Sequence, residues 1–139
     1  MHYGVVRRAC AVAGCLVLIS CESPLQPGIS PAPGSWGGAG IALEITAAGA
    51  TIEYDCAHGT IDRPIVTDGD GRFSAEGTHV REHGGPIRID DVPDRHPARY
   101  DGEVGGNVIR FSVTLLDTMQ SLGPFSAARG VAGRLLKCL

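Results

Sequence analysis

Beyond residue 40, the 139-residue chain repeatedly alternates apolar and polar positions. Residues 41 to 45, IALEI, show this alternation, and after the small residues 47 to 49 it resumes at residues 51 to 56, TIEYDC. A repeat of two places every second side chain on the same face of a β-strand. The two runs therefore predict a strand, a turn and a second strand.

The clearest alternation lies in residues 98 to 116, ARYDGEVGGNVIRFSVTLL. Its middle contains Gly106 and Asn107, residue types that tolerate the positive φ of a tight hairpin turn. A turn centred on these two residues sets Val104 opposite Ile109 on the apolar face. The turn and the alternation agree, so this segment predicts a β-hairpin with a defined register.

The rest of the chain extends the strand pattern. Turn-forming residues 67 to 71, TDGDG, precede a further alternating run at residues 73 to 79. About eight short strands, each with one apolar face, predict an all-β fold, a small antiparallel up-and-down barrel. The C-terminal part has two alternatives, either two short strands at residues 125 to 127 and 131 to 139 or a helix capped by Ser126.

The N-terminal residues follow a different pattern. Arg7 and Arg8 precede an apolar stretch at residues 9 to 19, and a small residue comes directly before Cys21. Basic, apolar and small segments in this order are typical of a secretory signal peptide. The apolar stretch is too short for a membrane-spanning helix, which needs roughly 20 residues. We therefore expect residues 1 to 20 to be a signal peptide.

Leu18-Ile19-Ser20-Cys21 resembles the bacterial lipobox. The resemblance implies cleavage before Cys21 and attachment of lipid to that cysteine. Val12-Ala13-Gly14-Cys15 also fits the pattern, but it would leave the apolar residues 16 to 19 on the mature chain. One acyl chain binds a membrane only marginally, so the multiple acylation implied here, palmitate included, would supply the anchor. We expect a lipoprotein on the exported side of a bacterial envelope membrane, either the inner or the outer one.

Proline and glycine are frequent in residues 22 to 35, ESPLQPGISPAPGS. Such a segment has little that can pack, and in extended polyproline form it would span up to roughly 40 Å. We therefore interpret residues 21 to 35 as the lipidated cysteine and a tether. Residues 36 to 139 remain, a length that suits one small domain.

The five cysteines have different expected roles. Cys10 and Cys15 lie in the signal peptide and Cys21 carries the lipid, so Cys56 and Cys138 are the only pair in the exported domain. An oxidising compartment favours a disulfide between them. The disulfide would close a loop of about 80 residues, for which the chain-entropy model gives about 4 to 5 kcal/mol as an upper figure. Two cysteines are too few for a structural zinc site.

The charge of the chain argues against nucleic acid as a partner. All 15 acidic residues lie after residue 20, whereas two of the 12 basic residues lie in the signal peptide, so the mature part has 10 basic residues and a formal charge of −5. The densest charged segment, residues 88 to 99, mixes both signs. Phosphate binding requires a basic patch, and we therefore expect no nucleic-acid partner.

The sequence has no catalytic or metal-binding motif. Four histidines, His58, His79, His83 and His96, are scattered, and no motif places a nucleophile beside a base. His79 and His83 would share a strand face, but residues four apart in a strand lie roughly 13 Å from each other. We therefore expect no enzyme activity, no metal ion and no cofactor.

One segment between the predicted strands is long enough for recognition. Residues 84 to 97, GGPIRIDDVPDRHP, mix apolar and charged side chains, and loops on a rigid scaffold often carry binding sites. The candidate binding residues in this segment are Ile87, Arg88, Asp90, Asp91, Arg95 and His96. The expected partner is an unknown protein or a small apolar ligand.

Gly34-Ser35-Trp36 resembles the Gly-any-Trp opening of lipocalin-like barrels, although the motif covers only a small part of the domain. The resemblance implies that Arg134, in the last strand, packs on the tryptophan. We expect the barrel interior to be filled by its own side chains, with a cavity for a small apolar ligand as the alternative. An eight-stranded barrel is only just wide enough for its own side chains or for one small ligand.

A second resemblance is to small lipid-anchored barrels with one disulfide that inhibit lysozyme. Residues 52 to 56, IEYDC, resemble their Tyr-any-Cys strand, and residues 98 to 100, ARY, resemble part of their Ser-Gly-any-any-Tyr inhibitory motif. His96 and Pro97 replace the Ser and Gly of that motif, which removes the contact residues. We therefore expect a non-enzymatic, lipid-anchored binding module, with a cell-wall hydrolase inhibitor or a ligand carrier as the alternatives.

Overall fold

The computed structural model describes residues 28 to 139, which form eight β-strands. The strands are β1 (Gly34–Gly38), β2 (Ile41–Thr46), β3 (Gly49–Tyr54), β4 (Ala57–Ile61), β5 (Arg72–Arg81), β6 (Asp94–Gly105), β7 (Val108–Leu115) and β8 (Ser121–Arg129). These described residues include no helix that is long and apolar enough to cross a membrane. The predicted signal peptide, the lipobox with Cys21 and the tether up to residue 27 lie outside the described residues.

The strands form one closed antiparallel barrel in which each strand pairs with its neighbours in the chain. β1 closes the barrel against β8, where Trp36 pairs with Arg129 and Gly37 pairs with Ala128. The expected all-β, eight-stranded, up-and-down barrel is therefore confirmed.

Alternation along the strands fills the barrel interior with apolar side chains. In β2, Ile41, Leu43 and Ile45 are buried while Glu44 is exposed. The largest side chains that are less than 2% exposed are Trp36, Ile41, Ile52, Ile65, Tyr100, Ile109, Val113 and Leu115. Full burial of one such aliphatic side chain stabilises a fold by about 1.5 to 3 kcal/mol. The interior is thus a packed hydrophobic core.

The β6–β7 hairpin has the register that the sequence predicts. Val104 pairs with Ile109, and Glu103 pairs with Arg110. Gly106, in the turn, has a φ of 59°, a conformation that glycine adopts without steric cost. A shift of one residue would turn every core side chain of the strand towards solvent, so the apolar face and the turn specify the same register.

The two ends of the barrel carry different segments, and we name them accordingly. The loop end has the β1–β2, β3–β4, β5–β6 and β7–β8 connections, of which the longest is the β5–β6 loop, residues 82 to 93. The tether end has the other three connections and the start of β1. Antiparallel strands that run in chain order place alternate connections at opposite ends, which is why the long loop and the start of β1 are separated.

The chain enters the barrel at the tether end. Ile29 pairs with Thr67 in the β4–β5 connection, and the indole N–H of Trp36 donates to the carbonyl of Ala32 over 3.0 Å. β1 begins at Gly34, before the expected start of the domain at Trp36. The last residues of the predicted tether, from Ile29 onwards, therefore lie against the barrel.

The C-terminal tail, residues 130 to 139, runs from β8 along the outside of β1. Gly37 permits this path, because a side chain there would collide with the backbone of residues 131 to 133. Further along, the Arg134 N–H donates to the Gly38 carbonyl over 2.9 Å. The tail thus reaches the loop end by crossing the strand that closes the barrel.

The structure decides between the two alternatives that the sequence allows for residues 125 to 139. Residues 125 to 127 are in a strand, β8, and the alternative of a helix is wrong. Residues 131 to 139 form one isolated bridge, between Arg134 and Ala39, instead of a second strand. Arg134 therefore lies beyond the last strand, and Arg129 is the basic residue that pairs with Trp36.

The tail ends in the expected disulfide between Cys138 and Cys56. The two Cα atoms are 5.2 Å apart, which is within the usual range for this bond. Cys56 lies in the turn after β3, and the adjacent Asp55 carboxylate accepts a hydrogen bond from the Leu136 N–H over 2.8 Å. The disulfide therefore attaches the tail to the loop end of the barrel.

Removing the disulfide should destabilise the barrel. The bond joins residues separated by 82 positions, for which the chain-entropy model gives about 4.5 kcal/mol as an upper figure. The double variant Cys56→Ser, Cys138→Ser should therefore lose about 2 to 4 kcal/mol of unfolding free energy in urea denaturation. Reduced wild-type protein is the matched control and should unfold like the variant. A variant with the wild-type urea midpoint would show that the disulfide does not stabilise the fold.

Candidate binding surface at the loop end

The β5–β6 loop projects from the loop end of the barrel. It contains four of the six predicted binding residues, which are Ile87, Arg88, Asp90 and Asp91. A short turn organises the loop, because the Arg88 N–H donates to the Asp91 carboxylate over 2.8 Å and the Asp91 N–H donates to the Arg88 carbonyl over 3.1 Å. The loop therefore has internal hydrogen bonds of its own.

Exposed apolar side chains concentrate at this end. Ile87, Ile89 and Val92 in the loop are 86%, 108% and 88% exposed. The same end exposes Met119 in the β7–β8 turn and two residues of the tail, Leu136 and Leu139. We call these six residues the apolar cluster. Large exposed apolar patches mark interaction sites, and six of the nine large apolar side chains that are exposed in residues 28 to 139 lie at this end, so the cluster is the strongest candidate for a binding surface.

The other two predicted binding residues, Arg95 and His96, do not lie in the loop. β6 begins at Asp94, so the predicted loop extended too far towards the C-terminus. Arg95 is exposed, whereas His96 is buried with 9% of its surface accessible, and including it in an exposed binding loop was wrong. The polar character of residues 94 to 96 hid the alternation of the strand, because a histidine occupies an inward position.

His96 contacts residues of two inter-strand connections at the loop end. Its Nδ1 lies 2.7 Å from Oδ2 of Asp117, in the β7–β8 connection. Its Nε2 lies 3.0 Å from Oδ1 of Asp94, where the β5–β6 loop ends. The hydrogen bond with His96 is the main cause that lowers the pKa of Asp117 below its usual range. His96 therefore positions the base of the loop against the neighbouring turn.

A second polar network positions the start of the loop. Oε1 of Glu82 lies 2.8 Å from Nδ1 of His58, and Oε2 of Glu82 accepts a hydrogen bond from Nζ of Lys137 over 3.3 Å. Lys137 also donates to Glu53 over 2.6 Å. The hydrogen bond with His58 is the main cause that lowers the pKa of Glu82, and that with Lys137 adds to it. This network ties the loop to the tail beside the disulfide.

Sequence reasoning missed three of these residues, Glu53, Asp117 and Lys137. Lys137 is 55 positions from Glu82 and 84 positions from Glu53, and Asp117 is 21 positions from His96. No local spacing indicates a contact over such separations. The closed barrel brings the residues together by placing alternate connections at one end.

A small groove lies between the end of β5 and the loop. Its volume is about 190 Å³, and Val80, Ile87 and Val92 contribute apolar surface while His83 and Asp91 lie at its polar side. Typical small-molecule pockets have about 300 to 1,000 Å³. The groove is therefore better suited to a side chain of a partner protein than to a whole small molecule.

His79 lies beneath this surface, inside the barrel. It is 4% exposed and pairs with His96 across β5 and β6. Burial is the main cause that lowers the pKa of His79, and the nearby charge of Arg81 adds to the effect. His79 is therefore neutral at pH 7.

Metal-binding groups do not assemble in the described part of the chain. Among residues 28 to 139, no three His, Cys, Asp or Glu side chains are arranged to hold a metal ion. His79 and His83, which the alternation would place on one face of a strand, are separated because β5 ends at Arg81 and His83 lies in the loop. His79 then faces the core, while His83 is exposed to solvent.

Comparison of the chain with protein-family models, with curated proteins and with solved structures finds no match. The fold and the surface therefore define the class of the protein by themselves. It is a closed eight-stranded antiparallel β-barrel with one disulfide and an exposed apolar cluster at one end.

The burial of His79 predicts a barrel that loses stability in acid. Folding lowers the pKa of His79, so the unfolded chain binds a proton at a higher pH than the folded barrel does. The contribution of neutral His79 to the free energy of unfolding is therefore fully present above about pH 6.5 and declines below it. The variant His79→Phe should flatten the decline of melting temperature between about pH 7 and pH 5. Thermal unfolding followed by circular dichroism measures this change.

The matched control for this experiment is His83→Gln, at an exposed histidine, which should keep the wild-type decline. If His79→Phe and the wild type lose the same number of degrees over this pH range, the decline does not arise from His79.

Proposed function

We propose that the mature protein is a lipid-anchored, non-enzymatic binding module of the bacterial cell envelope, and that its apolar cluster contacts a partner protein. The observation that carries this proposal is the position of the cluster. Ile87, Ile89 and Val92 lie at the loop end, whereas the chain enters the barrel at the opposite end through Ile29. The exposed side chains thus lie far from the segment that would bear the anchor.

The length of the tether supports this orientation. The seven residues from 22 to 28 separate Cys21 from Ile29 and would span about 22 Å in extended polyproline form. β6 has 12 residues, and a strand of that length rises about 30 Å along a barrel whose strands tilt by about 40°. An anchor at Cys21 would therefore keep the tether end near the membrane and present the loop end away from it.

The chemistry of the surface supports a protein as the partner. Arg88 and Asp90 flank the exposed Ile89, so apolar and charged side chains alternate along the loop. Protein interfaces combine an apolar centre with a polar rim in this way. The contacts of His96 and Glu82 hold both ends of the β5–β6 loop in place. The loop therefore loses less conformational entropy when it binds a partner.

The two alternative functions find less support in the structure. Trp36 and Tyr100 are among the side chains that fill the barrel interior, which does not favour a carrier of an apolar ligand. Tyr100 also belongs to the segment that resembles a lysozyme-inhibitor motif, yet it is 0% exposed and its hydroxyl donates to the Thr78 carbonyl over 2.6 Å. A side chain in that position does not contact another protein.

The anchor can be tested at Cys21. We expect the wild-type protein to incorporate radiolabelled palmitate and to sediment with membranes, because the acyl chains bury apolar surface in the bilayer. The variant Cys21→Ser should incorporate no label and should leave the membrane fraction. Cys15→Ser is the matched control and should behave like the wild type. Loss of label in Cys15→Ser alone would move the lipidation site to the rival cysteine.

The binding surface can be tested by site-specific photo-crosslinking in cells that produce the protein. A photoreactive residue in place of Ile89 should form a discrete cross-linked product with another protein, because the position is fully exposed in the apolar cluster. The same probe in place of Val66, an exposed apolar residue at the tether end, should form none. The product is identified by mass spectrometry.

A pair of charge substitutions completes this test. Ile87→Asp with Val92→Asp should abolish the product from position 89 while changing the melting temperature by less than about 2 °C, because exposed side chains contribute little to stability. Equal products from positions 89 and 66, or a product that survives both substitutions, would reject the apolar cluster as the binding surface.

A further inference from the structure

The groove between the end of β5 and the β5–β6 loop has an apolar wall. Val80, Ile87, Val92 and Pro93 contribute to this wall. Val80 is buried at the end of β5, whereas Ile87 and Val92 are exposed and belong to the apolar cluster. The groove is therefore continuous with the apolar cluster, and a partner that covers the cluster would also reach the groove.

The charged side chains at the groove do not balance. Glu82, Asp91 and Asp94 line it together with one basic residue, Arg81. Nη1 of Arg81 lies 3.8 Å from Oδ2 of Asp94, and Nζ of Lys137 lies 3.3 Å from Oε2 of Glu82. Three carboxylates thus face two cations, which leaves a formal charge of −1 when the histidines in the lining are counted as neutral. The unbalanced charge is that of Asp91.

Asp91 holds this charge in a fixed position. Its Oδ2 accepts a hydrogen bond from the Arg88 N–H over 2.8 Å and lies 3.7 Å from Nε2 of His83. Within residues 28 to 139, its Oδ1 has neither a hydrogen bond nor an ion pair. Because the side chain is 31% exposed, a donor from outside the chain can reach this carboxylate.

A lysine or arginine side chain matches both parts of the groove. Each has an apolar stem that packs on apolar surface and a charged tip that donates hydrogen bonds. An acidic side chain would be repelled by Asp91, and an apolar one would remove water from this carboxylate without replacing its hydrogen bonds. The groove has a volume of about 190 Å³, which suits one side chain better than a whole small molecule.

We propose that the partner protein inserts a lysine or arginine side chain into this groove, with the apolar stem against Ile87 and Val92 and the cationic tip at Asp91. This inference rests on the proposed function, because it names the chemistry that the apolar cluster and its groove recognise in a partner.

A titration of the purified mature protein tests the groove without knowledge of the partner. The probes are Nα-acetyl-lysine amide and Nα-acetyl-norleucine amide, which share a four-carbon stem and differ by the ammonium group. The lysine probe should shift the methyl resonances of Ile87 and Val92 with a dissociation constant in the millimolar range, because one side chain supplies little binding energy. The norleucine probe should bind about five-fold more weakly, since it lacks the ion pair with Asp91.

The variant Asp91→Asn should bind the lysine probe as weakly as the norleucine probe, because the amide oxygen still accepts from the Arg88 N–H but the charge is lost. Asp90→Asn is the matched control, since Asp90 is exposed and is not part of the groove lining, and it should keep the wild-type affinity. Equal affinity of the wild type for the two probes, or equal affinity of the two variants for the lysine probe, would overturn the inference.

Photo-crosslinking from position 89 separates this inference from the proposed function. Asp91→Asn should lower the yield of the cross-linked product about five-fold, whereas Asp90→Asn should leave it unchanged. A product with equal yield in both variants would keep the apolar cluster as the binding surface and reject the basic side chain. If the wild type forms no product at all, the proposed function fails, and the titration alone then decides what the groove prefers.

Discussion

Closure of the sheet between β1 and β8 is the contact on which the rest of the structure depends. Only Trp36 and Gly37 of β1 pair with β8. This β1–β8 pairing, which we call the seam, is short for a barrel of this size. The tail lies over Gly37 on the outside, and the indole of Trp36 fills the core on the inside. Without this seam, two strand edges would be exposed, and the core would lose the wall that excludes water.

The same tail links closure of the barrel to the candidate binding surface. After crossing β1 it reaches Asp55, forms the disulfide at Cys56 and contacts Glu82 through Lys137. The start of the binding loop is therefore attached to the element that covers the seam. His96 attaches the other base of the loop to the β7–β8 connection. A surface supported from both sides can remain apolar and exposed without collapsing onto the barrel.

Much of the fold follows from local patterns. The predicted alternation is present at residues 41 to 54, although β3 ends at Tyr54 and Cys56 lies in the turn after it, and the hairpin at residues 98 to 116 has the predicted register, because side chains on one face of a strand and a glycine turn are local properties. The disulfide follows from counting cysteines. The errors fall at residues 94 to 96 and in the tail, where polar inward positions or the absence of a repeat leave no local signal.

The sequence by itself determined the all-β class, the number of strands, the register of one hairpin and the pairing of Cys56 with Cys138. Only the tertiary structure decided that His96 faces inward beside His79, and that Lys137 meets Glu82. It alone placed the exposed apolar residues together at the end opposite the entry of the chain. Periodicity reports which face a side chain occupies, whereas contacts between distant residues exist only once the barrel has closed.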